Sequence, residues 1–255
     1  MGGEADTYVT MSFRPTLTDV DADGLRLVAD ESAAERGLRV FFTDRRGGVS
    51  TAPFESLNLA ARVGDEPERV QENRRRVAGA AGFDVARLAL ARQVHGASVI
   101  EVREGDAGVV GEADVIVTRS RATTIGILTA DCAPVVLWGD DVIALVHAGW
   151  RGLVAGAVEA GVAATGKVNA AWVGPSIHAC CYEVGPEVID AFERRNLPVA
   201  DRAHVDPGRA AVVALRRAGV DAIVASDTCT SCDESYFSHR RDGVTGRQGS
   251  FAMLT

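Results

Sequence analysis

Five short apolar runs between residues 88 and 147 constrain the fold of this chain more than any other feature of its sequence. They are rich in β-branched residues and are separated by turn residues, a pattern that is typical of buried strands. Neither an internal repeat nor a Pro/Ser-rich linker divides the chain, so the sequence predicts a single α/β domain with mixed β-sheets covered by helices. The runs are Leu88–Val94, Ser98–Val102, Asp114–Thr118, Thr124–Thr129 and Val142–His147.

Further elements are predicted on either side of these runs. A strand over 39–43 is closed by the Gly47-Gly48 turn, and a helix that runs to Gly82 has Asp65 as its predicted N-cap. Residues 1–36 are interpreted as an N-terminal lead-in that is irregular or hairpin-forming, and 37–255 as the main domain. The second half is predicted to contain helices over 152–165, 187–195 and 208–218 and strands over 170–173, 221–225 and 249–254.

The charge balance restricts the partners of the chain. It carries 27 Lys plus Arg against 35 Asp plus Glu, for a net charge of -8. Nucleic acids and anionic membranes need a basic surface, so we predict neither as a partner and expect a small-molecule ligand. No apolar run reaches the roughly 18 residues of a membrane span, and the first residues lack a basic and then apolar leader, so a cytoplasmic location is expected.

The cysteines are expected to be reduced thiols or metal ligands, because they are odd in number in a chain without an export signal. Cys229 and Cys232 have the spacing of half a zinc or redox site, but no second CxxC pair exists. We therefore predict that they pack near the site. Cys180 and Cys181 precede Tyr182 in a segment that either lines a pocket or forms a structural turn.

Three potential metal ligands end predicted strands: His95, Cys132 and His147. Strand ends in α/β sheets are common places for binding sites. Two imidazoles and a thiolate suit Zn²⁺, and three protein ligands with one open position are typical of a catalytic site. Three satisfied core side chains are the alternative interpretation, because buried Cys and His are common.

Charged residues accompany these ligands along the chain. Asp131 precedes Cys132, and Arg151 follows His147 at a predicted helix start, which favours an anion site beside the metal ligands. Arg45 lies next to the Gly47-Gly48 turn, and Arg241 precedes Gly243. Both arginines are candidate phosphate or ribose contacts, and we predict that Arg45 faces the same cavity as the metal ligands.

Seven ordered motifs across residues 37–254 closely resemble the YfiH or laccase-domain family, whose members are described as multicopper polyphenol oxidoreductases and as purine nucleoside phosphorylases. The family's metal ligands fall on His95, Cys132 and His147. The motifs are FFTDRRGGVS, SLNLAARVGD, RQVHGASVI, TADCAPVVL, VHAGWRGLVAGAV, GPSIHACCYEVGPEV and FSHRRDGVTGRQGS.

The resemblance implies a YfiH-like sandwich of mixed sheets and helices, with 37–255 as the catalytic domain. It also implies a zinc-dependent site that cleaves purine nucleosides with phosphate, with adenosine deamination and methylthioadenosine phosphorolysis as further activities. In this interpretation His95, Cys132, His147 and Asp131 are catalytic, and Arg45, Arg151, Tyr182 and Arg241 bind substrate. For deamination, Asp131 is the candidate proton carrier.

Three other functions remain open at this point. One is a non-catalytic protein that binds a metal or a partner and gives no product from any nucleoside. Copper suits a His-Cys-His ligand set, but a polyphenol oxidase of the laccase type needs several copper ions, and the chain has only 5 histidines. A metal-free hydrolase or amidase would use Cys132 as the nucleophile and His147 or His95 as the base. The sequence indicates neither the preferred nucleoside nor the oligomeric state.

Overall fold

Two mixed β-sheets pack face to face and bring the metal-ligand candidates together where the chain crosses between them. The structure is a computed structural model and describes residues 13–255. The strands are β1 (Thr18–Ala22), β2 (Leu25–Ala29), β3 (Leu38–Thr43), β4 (Leu88–Arg92), β5 (Val99–Val102), β6 (Gly108–Glu112), β7 (Val115–Thr118), β8 (Thr124–Thr129), β9 (Ala133–Gly139), β10 (Val142–Ala148), β11 (Val168–Val173), β12 (Ile223–Ala225) and β13 (Gln248–Leu254).

Most of the helices cover the outer faces of the two sheets. Short helices and a 3-10 turn over Val85–Arg87 complete the described part of the chain. The helices are α1 (Glu31–Ala34), α2 (Pro67–Ala81), α3 (Trp150–Ala155), α4 (Ala157–Thr165), α5 (Pro186–Arg194), α6 (Pro207–Arg217) and α7 (His239–Asp242).

The order of strands is β1-β2-β3-β13-β8-β4-β6 in the seven-stranded sheet and β12-β11-β9-β10-β7-β5 in the six-stranded sheet. Each sheet contains parallel and antiparallel pairs. The chain passes directly from β8 in one sheet to β9 in the other, so residues 130–132 lie at the crossing. This crossing positions the site.

Three clusters of buried apolar side chains hold the sheets and helices together. Phe42 and Ile127 of one sheet meet Leu145 and Trp172 of the other between the two sheets. On the outer face of the six-stranded sheet, helices α3 to α6 pack against β9 and β10, and α2 packs on the outer face of the seven-stranded sheet. The result is an α/β/β/α sandwich, and the predicted fold class is confirmed.

Several predicted boundaries differ from the structure. Residues 18–29 form a β1-β2 hairpin that extends the seven-stranded sheet, whereas residues 1–12 of the predicted lead-in lie outside the described residues. The helix predicted over 152–165 is two helices, because Gly156 takes a left-handed conformation at φ 88° and ends α3. Strand β9 and strand β6 were not predicted.

The prediction that Asp65 caps α2 is wrong. The N-cap is Glu66, and Asp65 instead turns inward, where its carboxylate accepts hydrogen bonds from Ser50 and Asn58. Pro67 still opens the helix, and Gly82 ends it in a left-handed conformation. A buried polar network therefore outcompetes the local cap at this residue.

Asp30 joins the hairpin to the core through a buried carboxylate. It accepts hydrogen bonds from the Thr16 and Ala33 backbone amides, the Ser32 hydroxyl and, at 2.9 Å, the indole nitrogen of Trp172 in β11. Burial acts to raise the pKa of Asp30, but the hydrogen bonds from Ser32, Thr16 and Trp172 outweigh it and hold the pKa below its ordinary value.

We expect Asp30→Ala to lower the free energy of unfolding by about 3 kcal/mol at pH 7, because it leaves the buried Trp172 donor without a partner. Since the folded pKa is depressed, the carboxylate's contribution is present above the unfolded pKa of about 3.9 and is lost as the pH falls through the folded pKa. Urea unfolding at several pH values measures this difference. Glu104→Ala, at an exposed turn, is the control, and an equal effect of both substitutions would contradict the prediction.

Candidate metal centre and active-site cavity

His95, Cys132 and His147 come together although they lie on different elements. His95 lies in the turn after β4, Cys132 at the crossing between β8 and β9, and His147 within β10. Their ligand atoms all lie within 4.8 Å of one another, and the Cys132 Sγ is 4.0 Å from the His95 Nε2. We call these three residues the triad.

The triad residues do not all end strands as the sequence predicted. β4 ends at Arg92, and His95 has a positive φ of 61° that is uncommon for a residue with a side chain. His147 is a buried residue of β10 that faces Pro134 in β9 across the sheet. The backbone at His95 is thus bent to direct its ring toward a residue held by the sheet.

Asp114 holds two members of the triad, although no motif in the sequence marks it as a functional residue. Its carboxylate accepts the backbone N–H groups of Val94, His95 and Gly96 and, at 2.8 Å, the Nδ1–H of His147. This contact leaves the His147 Nε2 available to a metal ion, as in sites where a carboxylate orients a metal-binding histidine. Burial acts to raise the pKa of Asp114, and the hydrogen bonds from His147 and Gly96 lower it below its ordinary value.

The thiol of Cys132 is held in the form that binds metals. Burial works against ionisation, but the charge and hydrogen bond of His147, together with His95, lower the pKa of Cys132 to about 6. Burial likewise opposes protonation of His147, whereas Cys132 and Asp114 raise its pKa to about 9. A thiolate beside two histidine rings suits a zinc ion, which would displace the proton from the His147 Nε2 on binding.

Gly149 leaves the space that the triad occupies. A Cβ atom at Gly149 would lie 2.9 Å from the Cys132 Sγ and 3.1 Å from the His95 Cδ2. Real Cβ atoms rarely approach that closely, so the ligand set fits only behind a glycine. The triad with its open side is therefore a suitable site for one metal ion with a free coordination position.

A cavity of about 610 Å³ opens onto the triad. Its walls combine apolar side chains such as Leu90 and Leu128 with Trp150 and Tyr182. Asp131 is the one acidic residue among the described residues that line it, although the chain as a whole is acidic. Six arginines also line it: Arg62, Arg74, Arg92, Arg151, Arg240 and Arg247.

The arginines are held in different ways. Arg240 stacks on the ring of Tyr182, with its Cζ 4.9 Å from the ring centroid, and Arg151 stacks on Trp150, with its Cζ 4.3 Å from the ring centroid. Burial lowers the pKa of Arg74 and Arg247, but a guanidinium stays charged in proteins. Arg74 and Arg247 are half-buried, whereas the other four arginines are exposed at the cavity wall, where Arg92 also pairs with Glu112. Six guanidiniums against one carboxylate in the cavity lining favour an anionic ligand.

Asp131 and Tyr182, two of the candidate site residues, line this cavity. The carboxylate of Asp131 accepts hydrogen bonds from the Thr230 hydroxyl and the Arg240 backbone amide, each at 2.7 Å. Asp131 has a positive φ of 93°, which marks a strained turn just before Cys132. Burial raises the pKa of Tyr182 to about 12, so its phenol stays protonated.

The expectation that Arg45 shares the cavity of the triad is wrong. Its Nε donates to the Glu55 carbonyl at 2.7 Å, and its guanidinium stacks on Phe237 and lines a separate cavity of about 500 Å³. Gly48, three residues after Arg45, allows close chain packing, because a Cβ there would lie 2.1 Å from the Ser56 carbonyl oxygen. Arg45 fixes this loop.

Arg241 also differs from its predicted role. Its guanidinium donates to the backbone carbonyls of Thr230, Ser231, Asp233 and Tyr236 and does not line the cavity of the triad. The neighbouring Arg240 occupies the place expected for Arg241. A local motif does not indicate which of two adjacent arginines faces the cavity and which binds the carbonyls of a loop.

We expect Asp114→Asn to weaken zinc binding by about 10- to 100-fold, because the amide cannot accept hydrogen bonds at both oxygen positions from His147 and the 94–96 turn. Competition with a chromophoric chelator measures the affinity. Asp106→Asn removes a carboxylate that only accepts from the Arg103 amide in an exposed turn, and serves as the control. An unchanged affinity in Asp114→Asn would contradict this positioning role.

The fold and site define an α/β/β/α protein with a candidate one-metal centre in an arginine-lined cavity. A sequence profile described as Multi-copper polyphenol oxidoreductase laccase matches residues 39–255, and the chain belongs to this family. The resemblance seen in the motifs is confirmed. Among residues 13–255, no helix is both long and apolar enough to cross a membrane.

Known proteins resemble the chain over most of its length. Purine nucleoside phosphorylase YfiH of Escherichia coli is 36% identical over 242 residues, which cover 90% of this chain and 99% of that protein. A purine nucleoside phosphorylase of Streptomyces coelicolor is 39% identical over 234 residues, covering 86% and 96%. The crystal structure of YlmD from Geobacillus stearothermophilus aligns with a TM-score of 0.85 and 30% identity over 94% of this chain and 99% of that one.

Proposed function

We propose that the protein is a zinc-dependent enzyme that cleaves purine nucleosides with phosphate. The observation that carries the proposal is the combination, in one cavity, of the His95-Cys132-His147 triad with six arginines and a single carboxylate. The relatives named purine nucleoside phosphorylase support the same reaction. A bound zinc ion would supply a Lewis acid with an open coordination position at the triad.

The reaction needs two kinds of binding surface, and the cavity has both. Phosphate carries charge that the arginines neutralise, and the purine is a flat apolar group that suits Leu90, Leu128 and Tyr182. A phosphate oxygen attacks C1′ of the ribose, the bond from C1′ to the purine nitrogen breaks, and the electron pair leaves with the base, which takes up a proton. The products are ribose 1-phosphate and the free base.

Arg240 is the arginine best placed to bind phosphate. Its amide is fixed by Asp131, next to Cys132, and its side chain extends along Tyr182 and donates to the Glu183 carbonyl at 2.7 Å. These contacts orient the guanidinium in the cavity wall before substrate arrives, which lowers the entropic cost of binding. The protonated phenol of Tyr182 can donate a hydrogen bond to the same ligand.

Deamination of adenosine is a second candidate activity of the same cavity. In that reaction Asp131 would move protons, but both of its oxygens already accept hydrogen bonds from Thr230 and Arg240. Neither water nor adenosine carries a negative charge, so deamination offers the six arginines no anion to bind. Phosphorolysis therefore uses more of the cavity, and methylthioadenosine belongs among the nucleosides to be tested.

The test is incubation of the metal-loaded protein with adenosine, inosine, guanosine or methylthioadenosine, with and without phosphate, followed by chromatography. Phosphate-dependent release of free base with ribose 1-phosphate supports the proposal. Inosine formed from adenosine without phosphate would instead assign deamination. Full activity in protein shown to contain no metal would favour a hydrolase that uses Cys132, and oxidation of phenols by copper-loaded protein would favour the laccase reaction.

We expect Arg240→Gln to raise the KM for phosphate by about 10-fold or more, because a charged hydrogen-bond donor to the anion is lost. Steady-state kinetics at varied phosphate concentrations measure this change. Arg45→Gln, which removes a guanidinium of the separate cavity, is the matched control and is expected to leave the KM unchanged. The opposite pattern would place the anion site at Arg45.

A further inference from the structure

A second group of potential metal ligands lies outside the triad. Cys180 and Cys181 lie in the turn before Tyr182, and Cys229 and Cys232 lie in the loop after β12. Their four Sγ atoms all lie within 4.8 Å of one another. In the sequence, Cys229 and Cys232 have the spacing of half a metal site, and no second CxxC pair is present. In the structure, the adjacent residues Cys180 and Cys181 lie beside them and complete a group of four thiols.

The four sulfurs lie close enough together to share one ion after small shifts. The Cys232 Sγ lies 3.5 Å from that of Cys180 and 3.2 Å from that of Cys181. Four sulfurs at about 2.3 Å from a zinc ion are separated by edges of about 3.8 Å. One disulfide would use only two of the thiols and a second would be needed for the other two, whereas a single zinc ion binds all four.

The surrounding backbone holds the thiols in place. The His178 amide donates to the Cys229 Sγ at 3.4 Å, and an isolated bridge pairs Ser176 with Cys229. Backbone N–H groups that point at sulfur stabilise thiolates in metal sites. Arg241 fixes the other side of the loop through its hydrogen bonds to the carbonyls of Thr230 and Ser231.

We propose that Cys180, Cys181, Cys229 and Cys232 form a second, structural zinc site. Cys229 is buried, whereas Cys180 and Cys232 are exposed, so an ion can reach the site from solvent. Four thiolates fill the tetrahedral coordination of zinc and leave no open position, which is the arrangement of structural rather than catalytic sites. The proposal stands on these residues alone and does not depend on the reaction at the triad.

The site would join two segments of the cavity wall. Cys181 is followed by Tyr182, on which Arg240 stacks, and Cys229 is followed by Thr230, whose hydroxyl donates to Asp131. An ion held by both segments fixes their separation. The second zinc ion would therefore order the part of the cavity that holds Arg240.

Metal content of full-length protein purified under reducing conditions without added metal is the first test. We expect about two zinc ions per chain in the natural sequence, about one in Cys132→Ala, and about one in the double variant Cys180→Ser/Cys232→Ser. Both serines replace exposed thiols, so folding should survive, and Ser231→Ala in the same loop is the matched control. Unchanged zinc content in the double variant would overturn the proposal.

X-ray absorption at the zinc edge is the second test, carried out on Cys132→Ala so that only the four thiols remain as a site. The spectrum should contain sulfur ligands alone at about 2.3 Å. A mixed nitrogen and oxygen shell would overturn the assignment. An intact mass measured under non-reducing conditions is a further check. A mass lower than that of the reduced chain by two hydrogens would indicate a disulfide between these cysteines and would also overturn the assignment.

Hydrogen exchange tests the coupling to the cavity wall. In Cys180→Ser/Cys232→Ser, the amides of residues 176–184 and 229–233 are expected to exchange faster, because the cross-link between the two segments is gone. Exchange in β9 and β10 should not change. Unaltered exchange in both segments would contradict a structural role for the ion.

Discussion

Cys132→Ala is expected to remove the triad's metal ion and to lower kcat/KM for nucleoside cleavage by at least about 100-fold. Loss of a residue that only supports a metal ligand costs about 10- to 100-fold, so loss of the one soft ligand in a three-ligand site should cost more. Metal analysis and steady-state kinetics with inosine and phosphate measure the two effects. The melting temperature should show that the variant is still folded.

Two controls separate chemistry from packing in this experiment. Cys132→Ser keeps the size of the side chain but offers a poor zinc ligand, so it should resemble Cys132→Ala. Ser98→Ala changes an exposed residue near the triad turn and should leave metal content and activity intact. Full activity of Cys132→Ala with an empty triad would contradict a catalytic role for the metal, and an inactive variant that keeps its triad ion would assign Cys132 as a nucleophile.

Local sequence patterns predicted those elements whose secondary structure depends mainly on residues close in sequence. The strands β8 and β10 follow from short runs of β-branched residues between turns, and α2 follows from Pro67 and Gly82 at its ends. β9 has a weaker local signal, because it carries Pro134 and proline in a run argues against a central strand. Pro134 is tolerated because it is the second residue of β9, at the crossing between the sheets.

The candidate site divides along the same line. The triad could be predicted because its residues lie in motifs that resemble a known family, and the structure brings the three together. The arginines of the cavity come from distant segments, as Arg62 and Arg247 do, and no local pattern separates them from Arg45 or Arg241. The four clustered thiols were likewise invisible, because their convergence depends on the long-range pairing of Ser176 with Cys229.

Gly149→Ala should cost about 100-fold in zinc affinity at the triad, with a parallel loss of kcat/KM, although it adds a single methyl group. Gly149 has a φ of -71° and a ψ of 166°, which alanine adopts without strain, so the backbone itself is not the reason. The reason is the added Cβ, which would lie 2.9 Å from the Cys132 Sγ and must displace that ligand or the His95 ring. Chelator competition measures the affinity.

Gly79→Ala is the matched control, because nothing lies within 4 Å of its added Cβ and alanine in an exposed helix is more stable than glycine by about 1 kcal/mol. Equal zinc affinity in the two alanine variants would show that the triad can shift to admit the methyl group, and that the space behind Gly149 does not set the geometry of the metal site.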